Sequence, residues 1–249
     1  MSKRIKIEVR DNGIAHLKMN DEKGKNEFND DFISELIQGL STLEENNKIK
    51  VLILSGLNEV FSAGANKQNL LDLCDGKIHV KDLLISEKLI FTPVPVIAAM
   101  EGHAVGGGLI MAACCDIVIA ARESRYGAVF MSLGFTPGMG CTQLLPELMG
   151  PFIASEMMFT GKLFKGSQLV DKGTNINYIL SKSEVMKKAE DLALQISEKN
   201  IKSIQLLKYT LSAKKKKLLI DARVHEDFMH RLSFAFPETK KMIEEKYGK

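Results

Sequence analysis

The chain has 249 residues, 45% of them hydrophobic and 26% charged, with a formal net charge of +3. That length buries a full core in one domain, and so small a charge excess does not mark a nucleic-acid binder. No apolar run approaches the ~20 residues of a membrane span, and no secretory leader pattern is visible, so a cytoplasmic protein with no membrane partner is expected. The four cysteines (Cys74, Cys114, Cys115, Cys141) lack paired metal-ligand spacing, so reduced, mostly buried thiols and no metal are expected.

Residues 3–9 alternate, turn at Asp11-Asn12-Gly13 and resume through residue 19, which reads as a β-hairpin. Phe32, Leu36, Ile37, Leu40 and Leu43 follow helical spacing, and Val51-Leu52-Ile53-Leu54 is a buried-strand run. Helical stretches are predicted at 66–73 and 82–91, buried strands at 94–100 and 116–121, and a short strand at 176–180. The β-helix-β alternation implies an α/β fold with a largely parallel sheet. After about Gly150 the pattern is otherwise helical, which suggests a core over 1–190 and a helical C-terminal or oligomerisation region over 191–249.

Two stretches of small residues stand near buried strands: Phe61-Ser62-Ala63-Gly64-Ala65 and Gly102-His103-Ala104-Val105-Gly106-Gly107-Gly108. Small residues let a ligand approach the backbone, and a helix N-terminus leaves N–H donors unpaired. Two such donors converging on one oxygen form an oxyanion hole, worth several kcal/mol when charge develops there. Tight turns alone would also explain either motif taken singly. The spacing is wrong for a dinucleotide fingerprint, Gly161-Lys162 lacks the rest of a P-loop, and no Gly-x-Ser-x-Gly is present.

The two stretches, their order, and a third block from Tyr126 through Phe135-Thr-Pro-Gly-Met-Gly140 to Gln143 resemble the enoyl-CoA hydratase/isomerase (crotonase) superfamily. The resemblance covers essentially the whole chain. It implies a spiral of ββα units, a helical C-terminal region, and a homotrimer or dimer of trimers. It also implies a thioester carbonyl bound by the backbone N–H groups of Ala65 and Gly107, with no cofactor of the protein's own. Hydratases of the family use two glutamates, and the matching positions here are Ile110 and Phe130. A hydrocarbon cannot hold or transfer a proton, so hydration at these positions is excluded. Glu101 and Glu123 are acids nearby in sequence, but nothing in their spacing places them at a substrate.

Decarboxylation needs chiefly a stabilised enolate, which the hole itself supplies. Within the superfamily the chain is most similar to the decarboxylating members of polyketide β-branching cassettes, in antibiotic biosynthesis. That likeness implies a 3-methylglutaconyl substrate on the phosphopantetheine of an acyl carrier protein. It further implies a histidine and a lysine holding the substrate carboxylate. His230 fits the first role by position, and Lys77, His79 or Lys81 the second, with Lys77 favoured.

From spacing alone, His230 lies about 200° around its helix from Phe228, off the apolar row Val224, Phe228, Leu232, where a histidine is ordinarily an exposed surface residue. His16 and His103 read as structural. The lysine run at 214–217 reads as a solvated helix face or as a basic patch that steers an acidic carrier protein. A free acyl-CoA decarboxylase, an enoyl-CoA isomerase and an inactive thioester-binding relative share the glycine motifs and remain alternatives.

Overall fold

The computed structural model describes residues 4–78 and 83–247. The expected hairpin forms from β1 (Ile5–Val9) and β2 (Ile14–Met19), paired antiparallel with Val9 opposite Ala15. After β3 (Glu27–Phe28), helix α1 (Asp30–Glu44) starts where Asn29 Oδ1 accepts from the Phe32 N–H at 2.9 Å. Its Phe32, Leu36, Leu40 and Leu43 are buried, as their spacing predicts.

Three ββα passes follow. The first is β4 (Val51–Ser55), β5 (Val60–Ser62), β6 (Gly64–Ala65), α2 (Lys67–Cys74) and α3 (Leu83–Phe91). The second is β7 (Val96–Met100), β8 (His103–Val105) and α4 (Gly107–Cys114). The third is β9 (Ile117–Ala121), β10 (Arg125–Gly127), a 3-10 turn at Phe130–Leu133, α5 (Cys141–Met149) and α6 (Pro151–Thr160). The chain closes with β11 (Phe164–Lys165), α7 (Gly166–Asp171), β12 (Tyr178–Leu180), α8 (Lys182–Ser197), α9 (Ile201–Phe234) and α10 (Pro237–Lys246).

The first strand of each pass enters a six-stranded sheet ordered β1-β2-β4-β7-β9-β12, parallel from β2 onward. The second enters a smaller sheet ordered β11-β10-β8-β5. This two-sheet winding is the expected spiral. The large sheet is buried on both faces, which explains uniform apolar runs such as Val51-Leu52-Ile53-Leu54. Val185, Ala189 and Ala193 of α8 pack on one face against Ile14, Val51, Ile53, Ile97 and Ile119. The expected division after residue 190 therefore falls inside a helix that packs on the sheet; α9 and α10 are the helices that follow it. Among the described residues no helix is long and apolar enough to cross a membrane.

The orientation of α9 differs from what its sequence suggests. Leu219, Ala222, Glu226, His230 and Ser233 form its buried row, whereas Val224 and Phe228 are 70% and 65% exposed. The apolar row faces outward and His230 faces in. Helical spacing had grouped the residues correctly, but the inward face carries the polar side chains because it clasps a loop with backbone groups to satisfy.

The lysine run also has local partners. Lys214 pairs with Glu147 at 2.6 Å, Lys215 donates to the Ala113 and Cys115 carbonyls, and Lys216 lies over the Phe91 ring at 4.7 Å. Lys215 thereby satisfies carbonyls at the C-terminal end of α4. The run begins about 20 Å along α9 from His230, at 1.5 Å rise per residue. The run therefore does not lie beside His230.

Candidate active site

The two glycine-rich stretches meet. Gly64 has φ +81°, and a Cβ there would lie 2.6 Å from the Val105 carbonyl oxygen and 3.4 Å from the Gly107 nitrogen. A Cβ on Gly107 would fall 2.4 Å from the Phe28 ring and 2.7 Å from Met139 Sδ. At Gly64 the clash is with backbone and φ is positive, so only glycine fits; at Gly107 a Cβ would have to displace Phe28 and Met139, so the close approach of the two backbones is favoured by the sequence. Gly107 opens α4, and its N–H is one of the first four that a helix leaves without an internal acceptor. The partial positive charge of that helix end favours an anionic oxygen.

Ala65 and Gly107 both line one cavity that opens to solvent at its mouth. Its wall is mainly apolar and includes Phe28, Leu70, Phe130, Phe135 and Phe234; Asp30, Asn69 and His230 are the polar side chains among its lining residues. Phe135 stacks on Phe234 with centroids 4.7 Å apart, and Phe130 meets Phe135 edge-on at 5.9 Å. Ile110 does not face the cavity: it is fully buried in the core behind Gly107. Phe130 does face it. Neither Glu101 nor Glu123 is among the lining residues; the Glu123 carboxylate accepts from the Lys182 N–H at 2.9 Å.

His230 sits inside the aromatic group, with ring contacts to Phe135 at 6.3 Å and Phe234 at 5.5 Å. Its Nε2 lies 2.7 Å from the Thr136 carbonyl oxygen. A carbonyl only accepts, so Nε2 carries the proton and Nδ1 is the nitrogen left for a ligand. Gly138 leaves room for the ring, because a Cβ there would lie 2.3 Å from His230 Cε1. Burial pushes the imidazole below its ordinary pKa, and the Thr136 bond and nearby Asp227 only partly oppose that.

This has a consequence for stability. The folded protein prefers a neutral ring, so above the unfolded value near 6.5 neither state pays a charging penalty. Below it the unfolded chain takes up a proton that the folded one resists, and stability falls with pH. His16 and His103 are lowered by burial too and act in the same direction. The melting temperature is expected to drop between about pH 7.5 and about pH 5.5, and to drop less in His230→Gln; equal drops would contradict the placement of the ring.

The loop before α5 is held by α9. Glu226, one turn before His230, accepts from the Gly140 N–H at 2.7 Å, the Thr142 N–H at 2.8 Å and Thr142 Oγ1 at 2.6 Å. Ser233 Oγ accepts from the Thr136 N–H at 3.2 Å. Between these anchors Met139 adopts φ +65°, a conformation that L side chains rarely take, and packs against Gly107. Glu226→Gln turns an amide N–H toward backbone donors and should cost about 1–3 kcal/mol of stability, read from the urea midpoint; an unchanged midpoint would contradict this account.

Of the expected carboxylate clamp, the structure brings His230 to the cavity. It does not bring Lys77 there: its ammonium turns outward to Asp75 at 2.9 Å and Asp72 at 3.4 Å, and its side chain is 60% exposed. The loop that carries it touches the cavity through Ile78 instead. His79 and Lys81 lie outside the described residues. The remaining histidines are placed structurally: His16 Nε2 is 2.7 Å from Ser55 Oγ, and His103 Nδ1 accepts from the Arg125 N–H at 3.0 Å. Cys114, Cys115 and Cys141 are buried free thiols. Phe135 stands in the third family block, whereas Phe234 and Asn69 carry no signal of their own in the sequence.

Comparison with known proteins agrees with this geometry. The family model for enoyl-CoA hydratase/isomerase matches residues 9–246. The bacillaene synthase decarboxylase PksI of Bacillus subtilis is 35% identical over 242 residues, 97% of this chain and 96% of the relative. The ECH2 decarboxylase domain of CurF from Lyngbya majuscula superposes with a TM-score of 0.93 at 32% identity, covering 99% of this chain and all of that one. A structure from a dehydratase/decarboxylase enzyme couple involved in polyketide β-branching superposes with a TM-score of 0.95 at 34% identity, again over 99% of this chain and all of the other.

Proposed function

Because the chain belongs to the enoyl-CoA hydratase/isomerase family and is a decarboxylase within it, we propose that it removes CO2 from a 3-methylglutaconyl group carried on the phosphopantetheine of an acyl carrier protein. The observation that carries this reading is the cavity itself: two backbones meet at Gly64 and Gly107, and the walls hold aromatic carbon where a hydratase needs acid.

The thioester carbonyl binds at the N–H groups of Ala65 and Gly107, and the distal carboxylate meets His230 Nδ1. A bound carboxylate raises the pKa of the ring, which takes up a proton and pairs with it. The bond between the carboxyl carbon and the chain breaks. Its electrons pass through the conjugated double bond to the thioester oxygen, and the resulting dienolate is held by the hole. Apolar walls keep water from hydrating the carboxylate that is lost. Once CO2 leaves, the buried imidazolium has lost its counter-charge and becomes a ready acid. Its proton returns to the carbon that carried the carboxylate, giving a 3-methylcrotonyl thioester. No cofactor takes part in this scheme.

The outward row of α9, which includes Ile220, Val224, Phe228 and Leu232, is an apolar surface of the kind that subunits cover, and it supports a homotrimer or dimer of trimers. A cytoplasmic location goes with the free thiols. The carrier preference is tested by comparing kcat/KM for the 3-methylglutaconyl thioester of a carrier protein with that of CoA. A carrier advantage of tenfold or more, on the order of 1.4 kcal/mol, is expected; an equal or better rate on CoA would overturn the carrier assignment.

A further inference from the structure

Helix α10 ends against the first oxyanion loop. Tyr247 Oη lies 2.7 Å from the Ala65 carbonyl oxygen and 3.1 Å from Glu27 Oε1. The second oxygen of Glu27 accepts from Asn66 Nδ2 at 2.8 Å, and Asn66 Oδ1 caps α2 by accepting from the Gln68 N–H at 2.9 Å. The phenol has one proton to give, and the shorter contact directs it to the Ala65 carbonyl, on the residue whose N–H serves the hole, while Glu27 stands at 3.1 Å as the second acceptor. Ala65 is the last residue of β6, where pairing with β3 stops. Its carbonyl lies beyond the reach of a longer ladder and takes its partner from α10 instead.

We propose that Tyr247 is a positioning residue of the oxyanion hole: by donating to the Ala65 carbonyl it fixes the peptide after Ala65, while β3 fixes the one before, so that the Ala65 N–H keeps its aim. This deepens the functional reading and rests on Ala65 being a donor to the thioester. The Ala65 N–H itself lies on the peptide before Ala65, so the bond to its carbonyl acts through the Ala65 Cα: a shift there carries with it an N–H that must meet an oxygen within about 0.2 Å of its best distance. Burial and the adjacent Glu27 carboxylate push the phenol well up from its ordinary value, so it stays a donor throughout the working range. The helix has other anchors, from Lys240 to Asp75 and from Lys67 Nζ to the Glu244 carbonyl at 3.0 Å, so removing one hydroxyl leaves α10 docked.

The test uses Tyr247→Phe and a crotonyl-pantetheine thioester labelled with carbon-13 at the carbonyl, a ligand with no carboxylate to lose. Isotope-edited infrared spectroscopy reads how far the protein lowers the carbonyl stretch, which a fold-wide effect would not move selectively. In Y247F much of that lowering is expected to vanish, and on the 3-methylglutaconyl thioester kcat should fall about tenfold with KM within about twofold. An unchanged stretch and an unchanged kcat would overturn the proposal. So would an equal loss in Lys240→Gln, because the effect would then belong to the docking of α10. A wild-type protein that lowers the stretch yet releases no CO2 from the 3-methylglutaconyl thioester would defeat the substrate assignment and leave the role of Tyr247 standing.

Discussion

Phe130→Glu should abolish most decarboxylation at subsaturating substrate without creating a hydratase. Phe130 faces the cavity and meets Phe135 edge-on, close to His230. A carboxylate there would stand near the substrate's own. Two like charges about 5 Å apart at an effective dielectric of about 20 repel by roughly 3 kcal/mol, and because the charge leaves the carboxylate as CO2 forms, that cost falls on substrate binding, on the order of a hundredfold in KM. Burial would also raise the pKa of the new acid, so part of the loss should be regained as pH falls and it becomes neutral. Water addition to a crotonyl thioester should stay absent, because the position of a hydratase's other glutamate holds Ile110, a buried hydrocarbon with no proton to exchange. Decarboxylation equal to wild type, measured as CO2 release at subsaturating substrate, would show that the apolar wall is incidental.

His230→Gln is the second large effect. Glutamine keeps a donor for the Thr136 carbonyl and fills much of the same space, so the loop between Phe135 and Gly140 should hold its shape. It cannot take up a proton from solution and return it to carbon. A loss of about a hundredfold in kcat is expected, in line with general acid catalysis by a positioned side chain. The melting temperature near neutral pH should change little. A wild-type rate in the glutamine variant would remove His230 from the chemistry and leave it as a filler of the aromatic pocket.

Much of this molecule is legible in its residues. The hairpin, the spacing of Phe32, Leu36, Leu40 and Leu43, and the run at Val51 each announce their element, because a period of two or of 3.6 needs only a few residues to show. The smaller sheet is invisible by the same logic: β5, β8 and β10 are three residues each, too short for any period. The glycines at 64 and 107 mark the site because one has a positive φ against backbone and the other opens a helix with its Cβ position already filled by Phe28 and Met139. The clamp was harder to read. Spacing on α9 showed that His230 stands apart from Val224 and Phe228 but not which side is inward, and hydrophobicity pointed the wrong way. The inward side is polar because Glu226, His230 and Ser233 bond the backbone of the 136–142 loop, which is distant in sequence. Position alone favours Lys77, but Asp72 and Asp75 beside it in the sequence hold its ammonium away from the cavity.

The central claim is that an oxyanion hole lined by carbon and a buried histidine performs a decarboxylation. Its most direct test is intact-mass analysis of an acyl carrier protein loaded with 3-methylglutaconate and incubated with the protein. Loss of the mass of one CO2, far faster than without protein and with no gain of water, is the predicted result. A carrier that keeps its carboxylate at the uncatalysed rate would contradict it.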